Sequence, residues 1–478
     1  MKNFLVFMTD HQRGDMQPPG SIAKTPNMDR LYKNGISFSN AYCPSPHCCP
    51  SRATFFSGLY PSEHGIWNNV NVSNALSRSL YDGVRLFSED LAENGYDMYF
   101  SGKWHVSATE GPDSRGFTTL WHDAKYGPAN NKPDMGDWAS YNKPIKTKEM
   151  TERCEGHIIR HYYPDYKLYG VDDNPYFDND VVEAAAKKLV QIDRNRPFFM
   201  YVGTLGPHEP YIAPQRFLDM YDIKDINLPE SHNDIMEDKP AMYRRIRDRF
   251  SQLPEAEQKE GLRRYLAFCT YEDYLFGILL DTLEQRGMLD ETVVMYVSDH
   301  GDYAGSHGLW AKGLPCFKEA YHINSVIGYG GIPVKEAVSD EFVSLADYAP
   351  TILEMAGIST NRRFVGKSLA PFLYGKPLDN WRSEMYTQSN GNEVYGIQRS
   401  VFNKEYKFVH NTFDFDEFYD LRNDPHEVHN LINEPMHDDD VKRMSKLLWS
   451  FAYENKDSSV NPYIMTGLAK YGPGIAFS

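Results

Sequence analysis

Three uninterrupted apolar runs of strand length constrain this chain most: Phe4-Leu5-Val6-Phe7-Met8, Phe198-Phe199-Met200-Tyr201-Val202 and Val293-Val294-Met295-Tyr296-Val297. A strand with one face in water alternates apolar and polar residues, so runs without alternation read as strands buried in a covered sheet. Between them lie segments of helical period: Asn27 to Asn34, stopped at Gly35; Arg85 to Glu93, stopped at Asn94-Gly95; Val181 to Ile192; and Tyr271 to Gln285, ended by Gly287. Met98 to Phe100 reads as a further strand. This alternation predicts an α/β sheet. Several of the strands run into polar residues at their carboxyl ends, where open α/β sheets place their ligands.

Two stretches interrupt the rhythm. Residues 106–175 are rich in Tyr, Asp, Pro and Gly, and 222–262 form a charged, mostly helical segment; long insertions of this kind rim active sites or make contacts between subunits. After Gly375 the pattern changes again. Val394 to Val401, Tyr406 to Asn411 and Phe418 to Leu421 read as short antiparallel strands, and Asp438 to Tyr453 as a helix packed on them. We therefore expect a catalytic domain over 1–379 and a smaller α+β domain over 380–478.

A net charge of −16 with no Lys/Arg-rich block argues against nucleic acid as a partner. No apolar stretch approaches the length of a membrane span, and the chain opens directly into its first strand without a visible signal peptide, so the expected location is cytoplasmic, or periplasmic or secreted if a leader has been trimmed. The six cysteines follow no zinc spacing, and Cys154, Cys269 and Cys316 read as buried thiols.

The run Cys48-Cys49-Pro50-Ser51-Arg52 is different. Proline suits a first helical turn, so Pro50 and Ser51 mark a helix start, and Gly58 fits its stop. Cys48 then lies at the positive end of a short helix beside a guanidinium, which makes an anion site containing a reactive group. The plainer alternative is a buried cysteine packed ahead of a helix. The run resembles the Cys-x-Pro-Ser-Arg signature of the type I sulfatases of the alkaline phosphatase superfamily, in which that cysteine is oxidised to formylglycine. The match selects Cys48, because Cys43-Pro44-Ser45-Pro46-His47 lacks the arginine and from Cys49 both Pro50 and Arg52 fall one place early.

Partners for Cys48 stand at other strand ends. Asp10, in Met8-Thr9-Asp10-His11, and Asp299-His300, after Val297-Ser298, could converge on a divalent cation. The resemblance implies that Asp10, Asp299, His300 and modified Cys48 hold the metal, calcium by the family's habit. His11 replaces the common second Asp, and an imidazole suits manganese or zinc better, so its membership of the set stays open. In Gly102-Lys103-Trp104-His105 an extended backbone would turn Lys103 and His105 to one face. The segment is similar to the sulfatase motif whose lysine and histidine contact sulfate. His208, in Pro207-His208-Glu209-Pro210, and Lys312, in Trp310-Ala311-Lys312-Gly313, match the pair that flanks the ester oxygen.

The resemblance runs over nearly the whole chain, though not through the two insertions. It implies a large mixed, mostly parallel sheet flanked by helices, with a short antiparallel sheet in the C-terminal domain. The implied reaction is hydrolysis of a sulfate monoester, on a sulfated saccharide by family habit and by the aromatic and polar insertions. Arg52, Lys103 and Lys312 would offset charge, His208 would serve the leaving oxygen and His105 would take a proton. A formylglycine-generating enzyme is the implied maturation partner; the oligomeric state stays open. Two alternatives accompany this reading. One is a phosphonate monoester or phosphodiester hydrolase of the same superfamily, whose members carry neutral hydroxyl residues where this chain has Lys103 and His105. The other is a sulfoglycan-binding protein in which Cys48 is never converted.

Overall fold

The computed structural model describes residues 1–122, 152–376, 378–392, 394–461 and 463–478. Its strands in chain order are β1 (Asn3–Thr9), β2 (Gly35–Tyr42), β3 (Asp97–Gly102), β4 (Thr118–Trp121), β5 (His157–Arg160), β6 (Tyr163–Lys167), β7 (Phe198–Gly203), β8 (Thr292–Ser298), β9 (Ser325–Tyr329), β10 (Ala337–Ser344), β11 (Met385–Gly391), β12 (Tyr395–Phe402), β13 (Tyr406–Asn411) and β14 (Glu417–Asp420). A mixed eight-stranded sheet runs in the order β10-β2-β9-β8-β1-β7-β3-β4. All its pairings are parallel except the two made by β9.

The three apolar runs are its central strands, and the reason is visible in β1. Phe4, Val6 and Met8 enter the core on one side of the sheet, Leu5 and Phe7 the core on the other, as the two-residue period requires. Phe7 meets Phe276 of the long helix Glu255–Gln285, which together with Asp178–Gln191 covers one face. The helices Cys48–Ser57, Phe87–Glu93 and Tyr348–Ala356 cover the other. The C-terminal strands form a second, antiparallel sheet, β11-β12-β13-β14, packed on the helix Asp438–Glu454 through Val401, Phe408, Phe418, Val441, Met444 and Leu448. Among the described residues no helix is long and apolar enough to cross a membrane.

The structure departs from the sequence reading in several places, among them the strands β2, β9, β10 and β11, which that reading did not anticipate. The helix expected from Tyr271 begins at Glu255, so the last residues of the charged segment 222–262 belong to it, after a break at 251–254 that follows the helix Ala241–Phe250. Gly261 looks like a stop but is a packing contact: a Cβ there would lie 3.1 Å from the Trp310 ring. Part of the stretch 106–175 is an edge strand, β4, and part is the β5–β6 hairpin, while residues 123–151 lie outside the described set. Cys154 is exposed, whereas Cys269 and Cys316 are buried as expected. Finally, β3 ends at Gly102 and His105 has φ 51°, so Lys103 and His105 do not share a face through strand alternation.

Candidate active site

Adjacent strands β8, β1, β7 and β3 finish at one edge of the sheet, with Thr9 level with Ser298, Met8 with Gly203, and Gly203 with Gly102. The residues that follow are therefore delivered to one place: Asp299-His300, Asp10-His11, the loop 204–210 carrying His208, and Lys103 to His105. Only glycine fits at 102, where φ is +103° and a Cβ would stand 2.0 Å from the Gly203 carbonyl oxygen. The helix Cys48–Ser57 points its amino end at the same edge and stops at Gly58 in the left-handed conformation. One helical turn separates Cys48 from Arg52, which places both on one face.

The centre is fully buried. The Cys48 sulfur lies 3.3 Å from His300 Nε2 and 3.6 Å from an Asp10 oxygen. Arg52, with no exposed surface, donates from Nε to Asp299 at 2.8 Å and from Nη1 to the Lys103 carbonyl at 3.1 Å and the Tyr201 hydroxyl at 3.0 Å. The Lys103 ammonium sits directly against the other Asp10 oxygen. Burial alone would raise the Asp10 pKa, but Lys103, His208, Arg52 and His300 together hold it well below the usual carboxylate range. Burial pushes the Cys48 thiol up to about 12, with Asp10 adding to the effect and Lys103 and Lys312 opposing it. Helix position and guanidinium therefore do not yield a thiolate, and the unmodified side chain is a poor nucleophile.

The mouth lies on the other side of Asp10. His208 and Lys312 are partly exposed, and Lys312 Nζ stands 3.0 Å from His208 Nε2 and 2.6 Å from His11 Nε2. Nδ1 of His11 meets Asp302 at 2.8 Å, and that carboxyl group also accepts from the Tyr211 hydroxyl and the Ala304 N–H. Nδ1 of His208 lies 3.1 Å from the Glu209 carboxylate. Burial first, then neighbouring lysines, depress the pKa values of His11, His105 and His208, and burial depresses that of His300. Burial and the neighbouring cations thus favour the neutral form of each imidazole.

Asp10, Cys48, Arg52, Lys103, His105, His208, Asp299, His300 and Lys312 all reach this edge. His105 does so from a left-handed backbone, buried within the fields of Lys103, Arg52, Asp10 and Lys312. Ligand atoms of Asp10, His11, Cys48 and His300 lie within 4.8 Å of one another. Asp299 stands beside this group with one oxygen turned to Arg52 and the other accepting from the His300 N–H at 2.8 Å. A carboxylate, imidazoles and an adjacent second carboxylate suit a divalent cation, with nitrogen favouring the borderline metals over calcium. Sequence reasoning left His11 open and passed over Glu209, Asp302, Tyr201 and Tyr211. Glu209 and Asp302 adjoin recognised motifs, and their polar character inside such motifs was the available signal.

The family model described as sulfatase matches residues 2–358, and that of the N-sulphoglucosamine sulphohydrolase C-terminal region matches 305–454. The chain belongs to the sulfatase family. As a sulfatase it is a hydrolase of sulfate esters. The choline-sulfatase of Rhizobium meliloti is 29% identical over 462 residues, covering 91% of this chain and 83% of that one. A phosphonate monoester hydrolase of Agrobacterium radiobacter superposes with a TM-score of 0.77 at 19% identity, over 95% of this chain and 96% of that one. A protein solved with its substrate D-glucosamine-2-N,6-O-disulfate superposes with a TM-score of 0.73 at 21% identity, over 96% and 98%. At such identities the structural likenesses establish the sulfatase fold alone, and the substrate has to be argued from the site.

Proposed function

We propose that this sulfatase cleaves a sulfate monoester on a saccharide, using formylglycine at position 48 and a divalent cation. The observation that supports this most is the placing of Lys103 and His105, with Arg52 and Lys312, around a buried residue 48 whose thiol is held protonated. A sulfate ester presents three terminal oxygens and a phosphonate monoester two, so the extra donors favour sulfate over the phosphonate alternative.

Formylglycine at position 48, once formed and hydrated, would supply the nucleophilic hydroxyl for attack on sulfur. Asp10, His11, His300 and residue 48, with Asp299 beside them, would hold the cation, which supplies positive charge for the sulfuryl oxygens. Arg52 and Lys103 share that task, and with their neighbours they hold the Asp10 pKa well below the usual carboxylate range. At the mouth Lys312 and His208 face the bridging oxygen; the Lys312 ammonium donates a hydrogen bond to it and passes it a proton as the bond to sulfur breaks, and neutral His208, 3.0 Å from Lys312 Nζ, positions that ammonium. His105, neutral and buried, takes the proton of the remaining hydroxyl so that sulfate can leave. His11, its Nδ1 bound by Asp302, keeps Nε2 aimed into the site.

The test is a substrate panel on enzyme whose conversion at position 48 has been verified by peptide mass spectrometry: sulfated monosaccharides, choline sulfate, nitrophenyl sulfate and a phenyl phosphonate ester. Preferred turnover of a sulfated sugar is expected. Preference for the phosphonate would overturn the assignment, and an unconverted Cys48 in protein from its native host would remove the formylglycine step.

A further inference from the structure

Beyond the mouth, the hairpin β5–β6 and the helix Ala241–Phe250 form the two walls of a cleft of about 850 Å³, within the size range of ligand sites. From the helix, Met242, Arg245, Ile246, Arg249 and Phe250 face it, at the spacing that puts residues on one side of an α-helix. From the hairpin come Arg160, Tyr163 and Tyr166. The Arg160 guanidinium is fixed, donating to the Pro164 carbonyl at 2.8 Å and lying 4.1 Å over the Tyr163 ring. Tyr166, Ile246, Phe250 and Val394 also border the smaller cleft that reaches Glu209 and Lys312, so the two spaces are continuous with the mouth.

Several arginines beyond the cleft are paired, Arg153 with Glu257 and Arg263 and Arg264 with Glu260. Arg245 and Arg249 are like charges four residues apart, an arrangement that costs helix stability, and among the described residues neither makes an ion pair. No Asp or Glu lines the cleft, in a chain whose net charge is −16. An aromatic floor with guanidinium groups at its rim suits a sugar ring bearing an acidic group, since rings pack on aromatic faces and arginine takes sulfate or carboxylate in a two-pronged contact. The same arginines disfavour a cationic substituent such as the trimethylammonium group of choline.

We propose that this cleft is an outer anion subsite, which holds a sulfate or carboxylate on the sugar unit next to the one desulfated. The proposal rests on the saccharide reading above. It is tested with the Arg245→Ala/Arg249→Ala double variant, on exposed positions of a helix anchored elsewhere by Tyr243, with circular dichroism to check the fold. Substrates are nitrophenyl sulfate, a monosulfated disaccharide, and that disaccharide carrying either a second sulfate or a uronate carboxylate. The double variant should lose kcat/KM on a doubly acidic disaccharide by about 10–100-fold more than on nitrophenyl sulfate, chiefly through KM, the effect expected for charged hydrogen bonds. The disaccharide with the larger loss identifies the group bound. Equal losses on all substrates, or none, would overturn the subsite. If wild-type enzyme cleaves nitrophenyl sulfate and no saccharide, the saccharide reading fails by itself. Calorimetric titration of Cys48→Ala protein with the disulfated disaccharide then decides the subsite: binding abolished by the double substitution sustains it, and binding that is absent or unaffected overturns it.

Discussion

Two buried groups of ionisable residues flank the loop 204–210, and the protein treats them in opposite ways. On one side, Asp10 and Asp299 meet Arg52 and Lys103, and Asp10 is held well below the usual carboxylate range against the cost of burial. On the other, Asp178 and Glu272 face each other, and burial raises both, Asp178 to about 7 and Glu272 well above its ordinary value. Asp178 accepts from the N–H groups of Leu205 and Gly206 at 2.9 and 2.8 Å, which softens its shift without supplying a cation. Desolvation acts alike on the two groups; the presence of a counter-charge decides whether the result is an ion cluster or a shared proton. The first arrangement is suited to receiving an anion, and the second anchors the loop that presents His208. Gly206 packs closely against this pair: a Cβ there would stand 2.0 Å from Glu272 Oε1 and would displace that carboxyl group.

The comparison breaks most severely at residue 48. Cys48→Ala should reduce turnover of any sulfate ester to background while leaving the thermal transition in place; residual activity near wild type would sink the nucleophile assignment. Lys103→Ala removes the cation from Asp10 and should cost kcat about 10²–10⁴-fold, as should His105→Ala, measured at saturating substrate. A Lys103→Ala enzyme that keeps sulfatase activity but loses its preference over phosphonate esters would show that the lysine selects substrate without stabilising the transition state.

Most of the ionised cluster was legible in the sequence because each member follows an apolar strand or opens a helix. Asp10 and Asp299 could be read from the runs before them, and Cys48 and Arg52 from the proline and glycine that bound their helix. The convergence of Lys103 and His105 could be read, but its geometry could not. A left-handed residue at 105 cannot be read from the segment, since few non-glycine residues take positive φ and neither Trp104 nor Val106 marks a turn there. Strands β2, β9 and β10 were passed over for a related reason. Gly35-Ile36-Ser37-Phe38-Ser39-Asn40 carries polar residues into a sheet, where Ser39 and Asn40 meet backbone carbonyls of Ser339 and Asp340. The Asp178–Glu272 pair was invisible, because its partners are nearly a hundred residues apart and carboxylates on amphipathic helices are ordinarily solvated.

A smaller effect separates the two groups at the metal. Asp302 fixes the His11 ring, so Asp302→Asn should weaken binding of manganese by about 10–100-fold in a direct titration of the protein, with little change in the far-ultraviolet dichroism. Unaltered affinity would place His11 outside the ligand set and leave it as the acceptor for Lys312 alone. Replacing His11 by Asp should move preference toward calcium, since a carboxylate is the better ligand for that ion.

The smallest effect concerns stability and carries the opposite sign on the two sides of the loop. A carboxyl whose folded pKa is raised keeps its proton over an interval in which the unfolded chain has lost it, so its stabilisation is complete below about pH 4 and disappears as pH rises toward the folded value. For Asp178 that interval ends near pH 7, and the shift corresponds to a few kcal/mol at most, on the order of 1.4 kcal/mol per pH unit. Asp10, with its pKa depressed, contributes the reverse: stability present above about pH 4 and lost on acidification through its folded pKa. Glu272→Gln removes one of the two raised carboxyls, the one lifted by burial and then by the Asp178 charge, and leaves a neutral amide that can donate to Asp178 in its place. Urea denaturation between pH 5 and pH 8 should then show a flatter loss of stability in the variant than in the wild type, with the two curves furthest apart at pH 8, where the variant is the more stable. Below pH 4 both proteins should lose stability together, because Asp10, with its depressed pKa, is untouched by the substitution. Parallel curves throughout would mean that Asp178 and Glu272 share no proton, and that the loop bearing His208 is held by backbone hydrogen bonds alone.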